Sequence, residues 1–186
     1  ALPISDLNHI GRTIGGDGGL AGTSNSGAGL NISAATTLNN TPSGGIVFSG
    51  RSSTGVGFNI TGGTLTSVGS GNISILGTSN STVGVLIGNT TSVSNANISG
   101  SSSAGAGILV TNGSSNVSLV LPNSTLSGSS VSGTGVFVCT SANATLAGMT
   151  ILGASTNNAT INISAGVGTG AGGVILAANS TINTTG

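Results

Sequence analysis

The 186-residue sequence has no Trp, Tyr, Glu, Lys or Gln, only 2% charged residues, three Phe, three Pro and a single Cys. Each shortage removes a class of protein. Helices on a globular surface draw on Glu, Lys, Arg, Gln and Leu, so long helices are not expected here. Two Lys+Arg balance two Asp+Glu at a pI near 6.8. No basic surface exists to neutralise phosphates, which excludes nucleic-acid binding. Glycoside cleavage generally needs two carboxyl groups flanking the bond, and lyases need a base beside Ca²⁺ held by several acids. The only acids are Asp6 and Asp17, and His9 has no partner at a telling spacing, so neither an enzyme nor a metal or cofactor site is expected. Cys139 cannot form an internal disulfide and, with no neighbouring His or cation, reads as a small apolar filler. The longest apolar runs, such as GVLIG, GVFVC and GGVILAA, fall far short of the roughly 18 to 20 residues that span a bilayer. No basic segment followed by an apolar one opens the chain, so ALPIS is read as the start of a mature product or of a fragment.

What fills the space is 35 Gly, 31 Ser, 25 Thr and 20 Asn, with 36% hydrophobic residues. A mean hydropathy of +0.43 is too apolar for a solvated coil, and Val, Ile and Leu arrive in short alternating runs. The chain is therefore read as folded and all-β. One phrase recurs: Gly, six mostly small residues, a small residue, then apolar, any, apolar. It stands at Gly22 (GTSNSGAGLNI), Gly50 (GRSSTGVGFNI), Gly77 (GTSNSTVGVLI), Gly100 (GSSSAGAGILV), Gly128 (GSSVSGTGVFV) and more loosely Gly153 (GASTNNATINI). Successive starts differ by 28, 27, 23, 28 and 25 residues. A seventh copy at Gly166 (GVGTGAGGVIL) follows after only 13 residues, so regularity lapses after about residue 164.

Two further short runs follow each phrase, as Thr64-Leu65-Thr66 and Asn72-Ile73-Ser74-Ile75 follow Phe58-Asn59-Ile60. Three strands of three to five residues per period are too short for a sandwich and suit one turn of a parallel β-solenoid. Strands would stack at about 4.8 Å, giving six or seven coils of roughly 26 residues and a rod roughly 30 Å long. The small half of each phrase is expected to form a corner, with Gly supplying a positive φ and Ser or Asn satisfying the backbone locally. The apolar half is expected to be a strand whose first and third residues point inward. Residues 1–21 then form an amino-terminal edge or lead-in and residues 22–186 the solenoid. Stacked like charges would repel at about 5 Å, whereas Asn, Ser and Thr can ladder. The four charges, Asp6, Arg12, Asp17 and Arg51, are read as tuning of the amino-terminal edge, three of them preceding the first repeat.

The phrases SGSSVSGTGVFV, SGSSSAGAGILV and LGTSNSTVGVLI resemble the repeats of the large two-partner-secretion exoproteins of Gram-negative bacteria, the filamentous haemagglutinin and high-molecular-weight adhesin group. The likeness covers roughly Gly22 to Ile163 and is one of style and period. It implies a right-handed parallel β-helix, export through an outer-membrane partner barrel, a secreted or cell-surface location, and attachment to a receptor on host cells or other bacteria. No amino-terminal secretion domain can be matched, and the resemblance assigns no receptor-binding residue.

Fifteen Asn-x-Ser/Thr triplets occur, at Asn31, Asn39, Asn59, Asn72, Asn80, Asn89, Asn97, Asn112, Asn116, Asn123, Asn143, Asn158, Asn162, Asn179 and Asn183. Chance predicts about 6, so these are candidate glycosylation acceptors, although alternation along outward strand faces also generates such triplets. The middle residue of the apolar half runs Asn31, Asn59, Leu86, Leu109, Phe137, Asn162 and Ile175. Its apolar members, Leu86, Leu109, Phe137 and Ile175, are expected to form an outward interaction stripe, for a partner or for a covering segment. Two other functions are weighed. Ice binding needs Thr pairs in register, and Thr64/Thr66, Asn72/Ser74 and Asn116/Ser118 are mixed. A self-assembling extracellular filament or matrix fibre, growing by end-to-end association of open strand edges, remains the alternative to an adhesin stalk.

Overall fold

The structure is a computed structural model. It describes the chain apart from residues 1–3, 6, 10–12, 16–17, 34, 40–44, 61–64, 68–70, 89–90, 93–94, 112–116, 141–143, 156–160, 166–173, 177–180 and 186. Side chains are described for 19–33, 35–37, 45–60, 71–88, 95–111, 124–139 and 150–155. The described residues form strands and turns and no helix.

The strands recur in threes. They are β1 (Ile4–Ser5), β2 (Leu7–His9) and β3 (Thr13–Gly15), then β4 (Gly18–Ser24), β5 (Leu30–Ile32) and β6 (Thr36–Asn39). Next come β7 (Gly45–Ser52), β8 (Phe58–Ile60) and β9 (Leu65–Ser67), followed by β10 (Asn72–Ser79), β11 (Val85–Ile87) and β12 (Thr91–Ser92). From β13 (Ala96–Ser102) and β14 (Ile108–Val110) the chain enters β15 (Val117–Ser130), then β16 (Val136–Thr140) and β17 (Ala144–Ser155). It closes with β18 (Ile161–Ala165), β19 (Val174–Leu176) and β20 (Thr181–Thr185). Every pairing among them is parallel.

Each strand pairs with its counterpart one period away, which makes the molecule a parallel β-solenoid. One ladder runs β1-β4-β7-β10-β13 into the second half of β15, then β17 and β20. A second, separate sheet runs β2-β5-β8-β11-β14-β16-β18. A third ladder runs β3-β6-β9-β12 into the first half of β15, then β17 and β19. Strands β15 and β17 each serve two ladders, their pairing continuing through a register shift between Val120 and Ser124. The phrase glycines Gly22, Gly50, Gly77, Gly100, Gly128 and Gly153 are consecutive register partners. Pairing also reaches into the lead-in segment, since Ile4 partners Gly22 and Leu7 partners Leu30.

The core is a set of aliphatic columns. Phe48, Ile75, Ile98, Leu126 and Ile151 stack on one wall, and Leu30, Phe58, Val85, Ile108 and Val136 on the facing one, all buried. Phe48 and Phe58 meet across the core with ring centroids 6.1 Å apart at 53°, a tilted geometry that suits aromatic quadrupoles. The first and third apolar residues of each described phrase point inward as expected, with the middle one half-buried.

Three expectations are corrected. The strands that carry the phrase glycine are seven or eight residues long in β4, β7, β10 and β13 and longer still in β15 and β17, not three to five, because Gly-x-Ser is still paired strand and the corner begins only after the serine. The phrase glycines with their neighbours mapped do not have left-handed backbones. Glycine is required there by closeness: a Cβ on Gly50 would meet the Gly57 carbonyl across the corner, and one on Gly57 would meet the Thr78 backbone of the next turn. Finally, Gly166 does not open another copy of the phrase, because Val174-Ile175-Leu176 pairs with Ala144-Thr145-Leu146 in the third ladder.

Candidate interaction sites

The corners are built around one column of serines. Ser24, Ser52, Ser79, Ser102 and Ser130 stand two residues after the phrase glycine and are buried. Each Oγ accepts from the backbone N–H three residues on, as in Gly55 N to Ser52 Oγ at 2.9 Å and Gly105 N to Ser102 Oγ at 2.9 Å. From Ser52 on, each also donates to a carbonyl of the preceding turn's corner, as does Ser155 after them: Ser52 to Gly27 (2.8 Å), Ser79 to Gly55 (2.7 Å), Ser102 to Thr82 (2.7 Å), Ser130 to Gly105 (2.6 Å) and Ser155 to Gly133 (2.7 Å). One hydroxyl thus closes its own corner and staples it to the turn before. Backbone bonds continue between corners, for example Gly57 N to Val83 O at 3.0 Å and Gly107 N to Thr134 O at 2.9 Å. The corners thus form a hydrogen-bonded ledge alongside the sheets. Serine at the third place in all six phrases from Gly22 to Gly153 is the signal in the sequence that marks this column.

On the middle sheet, Asn31, Asn59, Leu86, Leu109, Phe137 and Asn162 are successive register partners, which brings the expected stripe together. Leu86, Leu109 and Phe137 are half-buried. Ile175 is not in this column: it partners Thr145 in a different ladder, because β19 is the third strand of its turn. At the polar end, Asn59 Nδ2 donates to Asn31 Oδ1 at 2.8 Å. Asn59 Oδ1 is buried with no partner, since the next rung is Leu86, which has nothing to donate. The asparagine ladder stops where the apolar stripe starts.

The Asn-x-Ser/Thr asparagines divide in the same way. Asn72, Asn80 and Asn97 are exposed. Asn59 has its amide nitrogen, the atom a glycan would take, committed to Asn31. Asn31 is half-buried, and Asn39, Asn123, Asn162 and Asn183 lie on strands whose side chains are outside those described. Asn89, Asn112, Asn116, Asn143, Asn158 and Asn179 lie outside the described residues, as do Asp6, Arg12 and Asp17. His9 sits on β2 with its side chain likewise undescribed, and Cys139 is half-buried on β16. Among the described residues no group of His, Cys, Asp and Glu could hold a metal, and no helix is long and apolar enough to cross a membrane.

A cavity of about 350 Å³ opens beside the corner ledge. Its wall is the outward column Thr23, Arg51 and Thr78, adjacent rungs of the first ladder. Its rim is the first corner residue of the same three turns, Asn25, Ser53 and Asn80, and the buried Ser24 and Ser52 close it below. All of these residues are polar, and Arg51 is the one charged side chain among the described residues. Sequence reading treated Arg51 as part of edge tuning. The ladder places it two turns in from β1, between two threonines.

No protein-family model, no curated protein and no solved structure matches this chain.

Proposed function

We propose that the chain is a segment of a secreted cell-surface adhesin, a rigid β-helical stalk that mediates attachment to host cells or to other bacteria. The observation that carries this reading is the serine column. The corners at Ser52, Ser79, Ser102 and Ser130 are each closed by a buried hydroxyl and tied to the corner before, so the rod resists bending at the places where a solenoid would otherwise be soft. A stiff, nearly uncharged rod with small outward residues suits projection from a surface. The resemblance of the repeats to two-partner-secretion exoproteins supplies the export route, an outer-membrane partner barrel, and the excess of Asn-x-Ser/Thr triplets fits a surface-exposed product. Contact with the receptor is assigned to the half-buried stripe Leu86, Leu109 and Phe137, whose alignment over three consecutive turns makes a patch from otherwise scattered apolar residues.

Beads coated with the chain should attach to cultured epithelial cells or bacteria above the level of beads coated with an unrelated β-solenoid. Changing Leu109 and Phe137 to Asn should leave the circular-dichroism spectrum intact and reduce attachment several-fold. Equal attachment by both coatings overturns the adhesin reading, and unchanged attachment by the folded double variant removes the stripe from it. A second reading is a self-assembling extracellular filament, because parallel strand edges at the end of a solenoid can pair with those of another copy. Electron microscopy separates the two: fibres that lengthen with protein concentration support the filament, and rods of fixed length support the stalk.

A further inference from the structure

We propose that the cavity around Arg51 binds the carboxylate of an acidic saccharide of the uronate class. Arg51 has no hydrogen-bond or ion-pair partner for its guanidinium among the described residues. Among the described residues no other charged side chain stands near it to form a charge network. Nor does the fold need it, because the same rung holds Thr23, Thr78, Ser101 and Ser129 in the other turns.

The surrounding groups are uncommitted in the same way. Hydroxyls at the second corner position bond the preceding turn: Thr54 the Asn25 carbonyl at 2.8 Å, Ser81 the Thr54 carbonyl at 3.1 Å and Ser132 the Ser103 carbonyl at 3.0 Å. Thr23, Ser53 and Thr78 make no such side-chain bond, and the Asn25 and Asn80 amides are free as well. The cavity therefore gathers a planar cationic fork, three hydroxyls and two amides with their hydrogen-bonding capacity unspent. Thr23 to Thr78 spans two rungs, about 10 Å, which matches one to two sugar rings. Leu76, 43% exposed and two residues before Thr78 on the same face, adds an apolar surface for the C–H face of a ring.

The fork selects the anion. Arginine pairs bidentately with a planar carboxylate, while a densely sulfated chain draws its affinity from several cations at once, and this ledge offers one. The specificity is for a single carboxylate set among hydroxyls. This site is independent of the apolar stripe, which lies on another sheet, and of the adhesin reading.

Titration calorimetry on the full chain tests it with a tetrasaccharide that alternates glucuronate with a neutral sugar, beside the same tetrasaccharide with its carboxylates reduced to alcohols. The acidic form should bind at least tenfold more tightly than the reduced one. R51Q should erase that difference, R51K should retain part of it, and L109N should leave it untouched, each with an unchanged circular-dichroism spectrum. Equal binding of the two saccharides, binding of neither, undiminished discrimination in folded R51Q, or tighter binding of a heparin tetrasaccharide than of the uronate would each overturn the proposal.

Discussion

At the scale of single residues, stability draws on buried hydroxyls and close glycine contacts as well as on the apolar core. Ser102 makes the point. It satisfies the Gly105 N–H and the Thr82 carbonyl together, so Ser102→Ala leaves two backbone groups without partners at a largely buried corner. We expect a loss of about 2–3 kcal/mol in urea unfolding, against a few tenths for Ser101→Ala next door, whose side chain is exposed. Equal effects from the two would remove the stapling role. The stranded Asn59 Oδ1 gives a second comparison. Leu86→Asn supplies a donor to that oxygen, whereas Leu109→Asn introduces an amide between Leu86 and Phe137. Both lose apolar contact, but the first should cost about 1 kcal/mol less, because a buried acceptor gains its bond.

At the scale of the element, the strands are long where the phrase begins and short where it ends. The glycine-bearing strands, seven residues or longer, present alternating faces, as the buried and exposed pattern of Ala96 to Ser102 displays. The three-residue strands of the middle sheet bury two residues and half-bury one. Entry into β13 is set by Asn95, the one non-glycine residue with positive φ among those described, at 54°. Its carbonyl accepts from Ile73 N at 3.1 Å, so the left-handed residue also aligns two turns. Asn95→Gly should be nearly neutral, while Asn95→Val should cost about 1–2 kcal/mol by thermal melting, since a β-branched side chain clashes in that conformation. The extra length of β15 has its own device: Ser124 Oγ accepts from Ala96 N at 2.9 Å, supplying a partner beside the register shift.

At the scale of the whole molecule, cohesion comes from ladders that repeat the same small contacts, with electrostatics almost absent. Two positive and two negative side chains in 186 residues leave little for salt to screen. The melting temperature should therefore move by less than about 2 °C between 10 mM and 300 mM NaCl, a shift that scanning calorimetry resolves. A larger shift would reveal charge coupling between turns. Repetition also explains why so neutral a chain folds, since each turn buries the face that its neighbour exposes and no turn can do so alone.

How much of this was legible before the structure follows from the range of the interactions. Period, the parallel coil and the inward pairs such as Phe58/Ile60 and Val85/Ile87 were readable, because alternation and glycine spacing are local properties that repeat down the chain. The serine column could have been read, since Ser occupies the third place of every phrase from Gly22 to Gly153, but its two-turn bonding belongs to residues 20 to 25 positions apart. The place of Ile175, the true reason for Gly57 and the uncommitted surroundings of Arg51 depended on which residues the winding sets side by side. A sequence states the order of residues along the chain; only the stacked turns decide which neighbours, at rung spacing, consume a hydrogen bond, forbid a methyl group or leave a charge open to solvent.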